Sequence, residues 1–496
     1  AGIDVFLNKK NTLGFMVNGY LNAGHDHENN ITNIGRSFLQ KDSSLISSND
    51  GKDRYRNLAY NLNYKAQLDS GGQELSVDLD YSNYNGNNNM AYNNSFFNQD
   101  GSTSRPAAII RNGTPSKIDI KAFKIDYSKP LNKTMKLEAG IKSSWVETDN
   151  NFNFEQLLNN AWVNDSRRSN HFVYDENVNA AYLNVNKQFK KTSIQAGLRA
   201  EQTNSNGHLI TTGKQVERSY FDFFPSIFIN QSLSKNHDLG ISYSRRIDRP
   251  SYDALNPFEF FLDQYTYNQG NPFLNPQYTN NFELTYSLKK TYNFGLGYSI
   301  TKDVITEVLL PDTSRKALFQ TNENLNKQIN YSLSANAPVS FAKWWNSSNN
   351  VVVFYLGFRS ENLRGRDLNT GKVAYQINSQ HTFVLDKDLT AEVSGNYQAP
   401  LEYGALRIQA EYGIDLGFSK SFLNKKASVK FAVSDIFDTR KQRISSAYEG
   451  LTYNLVQKHE TRIAKLTLNY RFGKNEIKPA RRRSTGLEEE QRRMKN

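Results

Sequence analysis

Residues 281–300 read NFELTYSLKKTYNFGLGYSI, and this stretch decides the fold. Apolar side chains occupy every second position on both sides of a short Lys-Lys-Thr-Tyr turn. Alternation with a period of two places these side chains on one face of a strand, and the polar turn joins two such strands. The stretch therefore predicts a β-hairpin with one apolar face.

The same alternation recurs along the whole chain. Strands that are apolar on one side only are typical of a transmembrane β-barrel, because lipid contacts one face and the lumen contacts the other. The last of these alternating stretches, which ends at Phe472, is predicted to be the C-terminal strand signal of the barrel. The recurring positions are Leu58, Tyr60, Leu62 and Tyr64; Leu75, Val77, Leu79 and Tyr81; Tyr412, Ile414, Leu416 and Phe418; and Leu466, Leu468, Tyr470 and Phe472.

Composition agrees with a barrel. The chain has 496 residues and a mean hydropathy of -0.69. It contains no apolar run of about eighteen residues, so a helical membrane span is excluded. Aromatic residues make up 12% of the chain, as girdles of rings at both membrane interfaces require. We predict an all-β fold, a transmembrane antiparallel β-barrel in the outer membrane of a Gram-negative bacterium.

The net charge of +12 raises the question of a nucleic-acid partner. The densest basic cluster lies near the C-terminus, around Arg481–Arg483 and Arg492–Arg493, and no recognition helix accompanies it. We therefore predict no nucleic-acid binding. No serine, cysteine or carboxylate constellation has the spacing of a nucleophilic site, so we also predict no catalytic residue, no cofactor and no enzyme activity.

Connections between the predicted strands alternate in length, as in barrels with short periplasmic turns and long extracellular loops. The short connections are Asp69–Gln73, Pro130–Thr134, Gln188–Thr192, Leu233–His237, Lys289–Tyr292, Asp386–Asp388 and Leu423–Lys426. The long ones, rich in Asn, Ser, Asp and Gly, are Asn22–Asp53, Asn83–Pro115, Glu147–Asp175, Asn204–Arg218, Asp248–Thr279 and Asp438–Leu451.

This alternation predicts about eighteen strands between Asn11 and Phe472, and Asp4–Leu7 adds a nineteenth piece. Three further strands would give the twenty-two strands of plugged outer-membrane transporters. We predict a barrel over residues 1–472, with its N-terminal strands and plug missing from this chain. Residues 473–496 are predicted to be a charged periplasmic C-terminal tail.

Two segments carry a family resemblance. One runs from Ser242 to Pro276, and the other is Val433–Arg440; the opening Asn8–Gly14 adds a third match. They resemble the TonB-dependent receptor-like outer-membrane β-barrel proteins of Bacteroidetes, although Gln277 stands where that family usually has an acidic residue. The motif residues, to which we assign a structural role, are Arg245, Arg249, Pro250, Asn256, Pro257, Gly270, Asn271, Pro272, Asn275 and Pro276.

The resemblance implies energy-coupled uptake of a large ligand, such as a siderophore, cobalamin, a glycan or a peptide. It also implies an upstream plug with an energy-coupling box, and a periplasmic energy-coupling protein as partner. Two alternatives stay open. The barrel can be a non-transporting structural or docking subunit of an outer-membrane assembly or secretion complex, or a passive porin. Outer-membrane lipid, a surface lipoprotein and other outer-membrane subunits are the further partners considered.

Candidate binding residues lie in the long connections. His25 and His27 alternate with carboxylates and are candidate metal ligands, but a solvated polar loop is the favoured explanation, since ligands in a mobile loop rarely fix the geometry of a metal, and we predict no metal site. Charged residues such as Arg199 and Glu201 are predicted to face the lumen. Aromatic residues in two loops are candidates for a ligand surface at the extracellular mouth, and packing within the loop is the alternative. They are Phe96, Phe97, Phe258, Phe260, Phe261, Tyr265 and Tyr267.

Overall fold

The computed structural model describes residues 1–37, 40–312, 314–315, 317–363, 366–448, 451–472 and 485–494. The helices in these ranges are α1 (Tyr252–Leu255) and α2 (Glu488–Arg492). The strands are β1 (Gly2–Phe6), β2 (Asn11–Ser37), β3 (Gln40–Gln67), β4 (Glu74–Asn98), β5 (Thr103–Asn132), β6 (Met135–Leu158), β7 (Ala161–Asn164), β8 (Asn170–Gln188), β9 (Thr192–Leu209), β10 (Lys214–Ser234), β11 (His237–Asp248), β12 (Glu259–Asp263), β13 (Thr266–Gln269), β14 (Gln277–Leu288), β15 (Tyr292–Asp312), β16 (Ala317–Ala342), β17 (Trp345–Leu363), β18 (Arg366–Asp386), β19 (Leu389–Gln398), β20 (Leu401–Tyr403), β21 (Leu406–Ile408), β22 (Glu411–Phe422), β23 (Ala427–Val433), β24 (Gln442–Tyr448), β25 (Leu451–Gln457) and β26 (Ala464–Tyr470).

Nineteen of these strands form one antiparallel meander, in which each pairs with the next: β1 to β6, β8 to β11, β14 to β19, then β22, β23 and β26. Three short strands inside connections, β7, β12 and β13, bring the sheet to 22 strands. A second sheet contains β20, β21, β24 and β25. The predicted all-β antiparallel barrel, with about nineteen visible strands, is confirmed. Among the described residues, no helix is long and apolar enough to cross a membrane.

The outer face of the meander is apolar because the registers align the alternating side chains. Phe282 lies opposite Tyr298, Tyr298 opposite Tyr331, and Tyr331 opposite Tyr355. The ring centroids of these pairs are 6.0, 5.0 and 6.4 Å apart. Phe282 and Tyr331 remain 46% and 53% exposed. Such large exposed rings, repeated across neighbouring strands, form the face that lipid covers.

Short turns join neighbouring strands at the end of the sheet that is predicted to face the periplasm. Lys289 and Lys290 connect β14 to β15, with φ of 54° and 55°. Two successive residues with positive φ form a type I′ turn, whose twist matches that of the two strands it joins. The predicted short connection at this point is therefore a tight hairpin turn, with the three residues 289–291 between the strands.

The predicted long loops are in most cases extended hairpins. Pairing of β2 with β3 continues through the predicted loop Asn22–Asp53, where His25 lies opposite Lys52 and Ile31 opposite Ile46. Beyond the lipid, water solvates polar side chains on either face, so strands continue without apolar alternation while their ladder satisfies the backbone groups. The prediction that Asn22–Asp53 is a loop between two strands was wrong, since β2 and β3 continue through it.

The segment between β11 and β14 lies inside the sheet. Asp263 accepts a hydrogen bond from Asn30 of β2 at 2.6 Å. The ring of Tyr267 stacks on Phe319 of β16, with centroids 5.5 Å apart. Since β2 and β16 are far apart in the meander, the sheet curls around this segment. The main buried core lies at this place, between the segment and the inner faces of the strands.

The C-terminal part of the chain returns to the same interior. Residues 485–494, which belong to the predicted periplasmic tail 473–496, include α2 and pack against inner-face side chains. Leu487 is fully buried there. The twelve residues before this segment, 473–484, lie outside the described residues.

Candidate functional site in the barrel interior

The connection between β11 and β14 begins with Arg249 and Pro250 and turns inward. Its first turn is helix α1, where the Ser251 hydroxyl accepts a hydrogen bond from the amide of Ala254 at 3.3 Å. Tyr252 and Leu255 are at most 3% exposed. An N-cap serine satisfies a helix amide, and the two apolar side chains anchor the helix in the core. The connection is therefore a folded element inside the barrel.

Gly270 allows two parts of this connection to touch. A Cβ atom at Gly270 would lie 2.0 Å from the carbonyl oxygen of Asn256 and 2.8 Å from that of Asp253. The next residue, Asn271, donates its amide to the carbonyl of Ala254 at 2.6 Å. Only glycine permits this backbone approach.

Asparagine side chains fix the end of the connection to the barrel wall. The side chain of Asn271 donates to the carbonyl of Asn322 at 3.0 Å. The amide of Asn275 donates to the side-chain oxygen of Asn324 at 2.8 Å, and the Asn324 side-chain nitrogen donates back to the Asn275 carbonyl at 3.0 Å. Both partners belong to β16, so the motif residues position the connection against this strand.

The remaining motif residues lie in the same connection or beside it. Arg245 donates to Asp222 at 3.3 Å. The carbonyl oxygen of Pro272 accepts from Arg218 at 2.9 Å. Three further motif residues, Pro250, Asn256 and Pro276, are buried, and Pro257 is half-buried.

The candidate aromatic residues divide into two groups. Phe96, Phe258, Phe261 and Tyr267 are at most 6% exposed. Phe258, Phe261 and Tyr267 belong to one packed cluster, in which, for example, the rings of Phe152 and Phe258 are 5.3 Å apart. The ring of Phe96 lies 6.1 Å from that of Tyr265. Phe97, Phe260 and Tyr265 are partly exposed. A ligand surface made from these aromatic residues stays a prediction, and only the second group presents ring surface to it.

The charged centre of the interior is Arg249. Its guanidinium donates to Glu201 at 2.7 Å, to Thr203 at 2.8 Å, to Tyr220 at 3.2 Å and to Glu489 at 2.7 Å. Burial opposes the charge of Arg249, but the neighbouring Tyr220, Glu201 and Glu489 outweigh it and raise its pKa above the ordinary value. The network is a permanent ion cluster, since each guanidinium nitrogen has an oxygen partner.

Sequence reasoning identified part of this cluster. Glu201 was among the charges predicted to face the lumen, and Arg199 pairs with it. The ion pairs of Lys142 with Glu490 and of Glu176 with Arg493 were missed. One signal in the sequence could have indicated these residues: a charged side chain on the inward face of a strand whose other face is apolar. Lys142, which follows the outward Ile141, is an example.

A cavity of about 950 Å³ lies next to Arg249. Both signs of charge and several amides line it, including Arg245, Asp248, Glu307 and Gln320. Such a lining offers hydrogen-bond donors and acceptors to a large polar molecule, whereas an apolar ligand would leave these groups unpaired. The cavity and the inward connection together form the candidate functional site.

His25 and His27 lie on the exposed β2–β3 hairpin, away from this site. His25 is 2.9 Å from the carboxylate of Asp50, and the His27 ring is 3.4 Å from the side-chain nitrogen of Asn29. Within the ranges that the structure describes, no three His, Cys, Asp or Glu side chains are grouped as metal ligands.

The second motif segment, Val433–Arg440, forms a tight turn around Asp435. The carboxylate of Asp435 accepts from the amides of Thr439 at 2.9 Å and Arg440 at 3.1 Å, and from the Thr461 hydroxyl at 2.5 Å. Burial opposes its ionisation, but these hydrogen bonds outweigh it and hold the pKa of Asp435 below its ordinary value. Arg440 also pairs with Asp415 at 2.9 Å. The turn is a fixed structural element at the end of β23.

Comparison with known proteins agrees with this geometry. The model of a family described as the outer membrane protein beta-barrel family matches residues 66–470. No curated protein matches the sequence.

Solved structures share the fold at low sequence identity. The siderophore receptor PiuA from Acinetobacter baumannii is 10% identical, with a TM-score of 0.53 over 95% of this chain and 78% of that one. A chain of the FpvAI–pyocin S2 complex is 11% identical, with a TM-score of 0.55 over 93% of this chain and 65% of that one. These similarities concern the fold alone.

Proposed function

Because this chain belongs to the outer membrane protein beta-barrel family, we propose that it is a non-enzymatic outer-membrane receptor that takes up a large polar ligand by energy coupling. The protein resides in the outer membrane. Its proposed partner is a periplasmic energy-coupling protein, and its proposed ligand site is the interior cavity with the connection 249–276. From the motif segments we also propose a Bacteroidetes origin.

The observation that carries the proposal is the filled interior. The connection between β11 and β14 spans the space inside the sheet between the β2–β3 extension and β16, and a buried ion cluster around Arg249 holds it. A ligand that reaches the cavity therefore meets fixed polar groups and has to displace packed structure to pass. Displacement of buried ion pairs requires free energy, which a diffusing solute does not supply. This supports coupled uptake over a passive porin.

Uptake measurements test the proposal. We would delete the protein and supply ferric siderophores, cobalamin, oligosaccharides and peptides separately as the limiting nutrient. The receptor proposal expects that uptake of one class is lost on deletion, and that a protonophore abolishes the same uptake in the parent strain. Uptake that survives the protonophore would indicate a porin. Unchanged uptake of all four classes, together with loss of an outer-membrane complex, would indicate the structural or docking subunit.

A further inference from the structure

The segment Thr485–Met494 is seated on the inner face of the barrel wall. Leu487 is fully buried and belongs to the same cluster as Ile120 and Tyr84, and Met494 packs against that cluster. The amide of Gly486 donates to Asp80 at 2.8 Å. The segment is thus fixed at its start by β4 and β5 and is not a loosely placed charged end.

Acidic residues of the segment meet basic residues of the interior. Glu489 is 2.7 Å from Arg249, and Glu490 is 2.8 Å from Lys142. The side chains of Lys142 and Glu490 are 10% and 4% exposed. These pairs connect the segment to β6 and to the connection that follows β11.

At Arg493 the charges are the other way round: the segment supplies the basic residue and the wall the acidic one. It forms a buried ion pair with Glu176 of β8. Its Nε donates to the carbonyl of Pro250 at 2.9 Å, and its guanidinium lies 4.4 Å from the ring centroid of Tyr252. In return, the amide of Tyr252 donates to the carbonyl of Arg493 at 3.3 Å. The wall thus pairs with two carboxylates of the segment, those of Glu489 and Glu490, and then with the guanidinium of Arg493.

The order of charges along the segment shows that its contacts with the wall are specific. A buried charge without a partner is strongly unfavourable. Lys142 and Glu176 on the wall therefore each require a neighbouring group of opposite charge. The segment supplies the carboxylate of Glu490 to Lys142 and the guanidinium of Arg493 to Glu176. Its Leu487 fills the apolar pocket of the wall. A random charged tail would not match three charges and one apolar pocket at once.

We infer that the inner wall contains a peptide-binding site formed by Asp80, Lys142, Glu176 and Arg249, whose occupant is the chain's own segment 485–494. The site takes a short peptide that contains, in order, Gly-Leu, a run of acidic residues and then arginine, as residues 486–493 do. Glu489 and Arg493 also line the interior cavity, so the bound segment forms part of its wall. This inference does not depend on the proposed uptake activity.

Cysteine cross-linking in the full-length protein of isolated outer membranes tests the site. The 496 residues contain no cysteine, so within them an introduced cysteine can form a disulfide only with its introduced partner. A Cβ atom at Gly486 would lie 3.4 Å from Cβ of Ala122, close to the separation found in disulfides. Gly486→Cys with Ala122→Cys is expected to form a disulfide on mild oxidation, seen as a reducible shift on a gel. Gly486→Cys with Lys121→Cys, which points to the opposite face, is the control and is expected to stay unlinked.

A labelling experiment gives a second readout with a smaller change. Leu487→Cys is expected to react with a membrane-impermeant maleimide at least about tenfold more slowly than Lys290→Cys in an exposed turn. Heat-modifiable migration on the same gels shows that each variant is folded. Equal labelling rates, or no cross-link in a folded Gly486→Cys/Ala122→Cys protein, would overturn the inference.

Charge reversal tests the recognition itself. Lys142→Glu is expected to reduce the cross-link yield severalfold, because two carboxylates then face each other. Adding Glu490→Lys restores opposite charges and is expected to recover most of the yield. A double variant no better than Lys142→Glu alone, with both proteins folded, would contradict recognition through this pair.

Discussion

The guanidinium of Arg249 lies 2.7 Å from the carboxylate of Glu489, although the two residues are 240 positions apart. The same guanidinium binds Glu201 on the barrel wall. One side chain thus joins three parts of the molecule: the wall, the inward connection and the C-terminal segment. Arg249 is 8% exposed, so its loss removes the partner of the Glu489 carboxylate and one of the two arginine partners of Glu201.

Arg249→Gln is expected to destabilise the folded barrel by about 3–5 kcal/mol, the usual result of removing one partner of a buried ion pair. Chemical unfolding of the refolded protein in detergent, followed by heat-modifiable migration, measures this. Arg246→Gln removes an exposed guanidinium three positions earlier and is the matched control, expected to change the unfolding free energy by less than about 0.5 kcal/mol. Equal stability of the two variants would show that the cluster contributes nothing.

Gly270→Ala is expected to disrupt the inward connection, because the new methyl group would overlap the carbonyl oxygen of Asn256. Overpacking of this kind destabilises by about 1–3 kcal/mol or more. Limited proteolysis of the folded protein should then cut within residues 249–276. Gly395→Ala is the control, since its added Cβ meets nothing within 4 Å. Resistance of the Gly270 variant to protease, equal to the control, would contradict the described packing.

Leu333→Lys is expected to destabilise the barrel in bilayers by about 2–4 kcal/mol, because it places a charge on the lipid face. Ser332→Lys introduces the same charge on the same strand, but toward the lumen, and is expected to have a much smaller effect. Folding yields into lipid vesicles over a urea series compare the two. A larger loss for Ser332→Lys would mean that the faces of β16 are assigned the wrong way round.

Acidification is expected to loosen the turn around Asp435. Its pKa is held below the ordinary value of 3.8, so the carboxylate stabilises the folded state above that pH. This contribution is lost as the pH falls below about 4, since protons then bind the unfolded state first and the folded state last. Asp435→Asn should lower stability at pH 7 and flatten the decline below pH 4.

The thermal midpoint, measured between pH 3 and pH 7, checks this dependence. Asp386→Asn, at the exposed end of β18, is the control and should behave as the parent protein does. If Asp435→Asn retained the full acid-dependent decline of the parent, Asp435 would not be its source.

Alternation in the sequence predicted the strands well because it is a local property. Apolar residues at every second position, such as Phe282, Leu284 and Tyr286, indicate which side of their strand faces lipid. Nineteen strands and the short turns followed from this rule. The rule failed beyond the lipid, where β2 and β3 continue with polar side chains on both faces.

The candidate site was less predictable. The sequence marked Gly270 and Arg249 through their motif, and Glu201 through its inward position. It did not show that Phe258 and Phe261 would pack in the core, since loop aromatic residues bind ligands and fill cores with the same chemistry. Burial distinguishes the two, and burial is a property of the assembled sheet.

The sequence by itself determined the class of fold, the outer and inner faces of its strands and the positions of its turns, because period-two patterning and turn chemistry act between near neighbours. Only the tertiary structure decided that Arg249 meets Glu489 and that Arg493 meets Glu176. Those partners are set by how the sheet curls and by where the inward connection and the C-terminal segment come to lie within it. A buried charge selects its partner from whatever that geometry brings within reach.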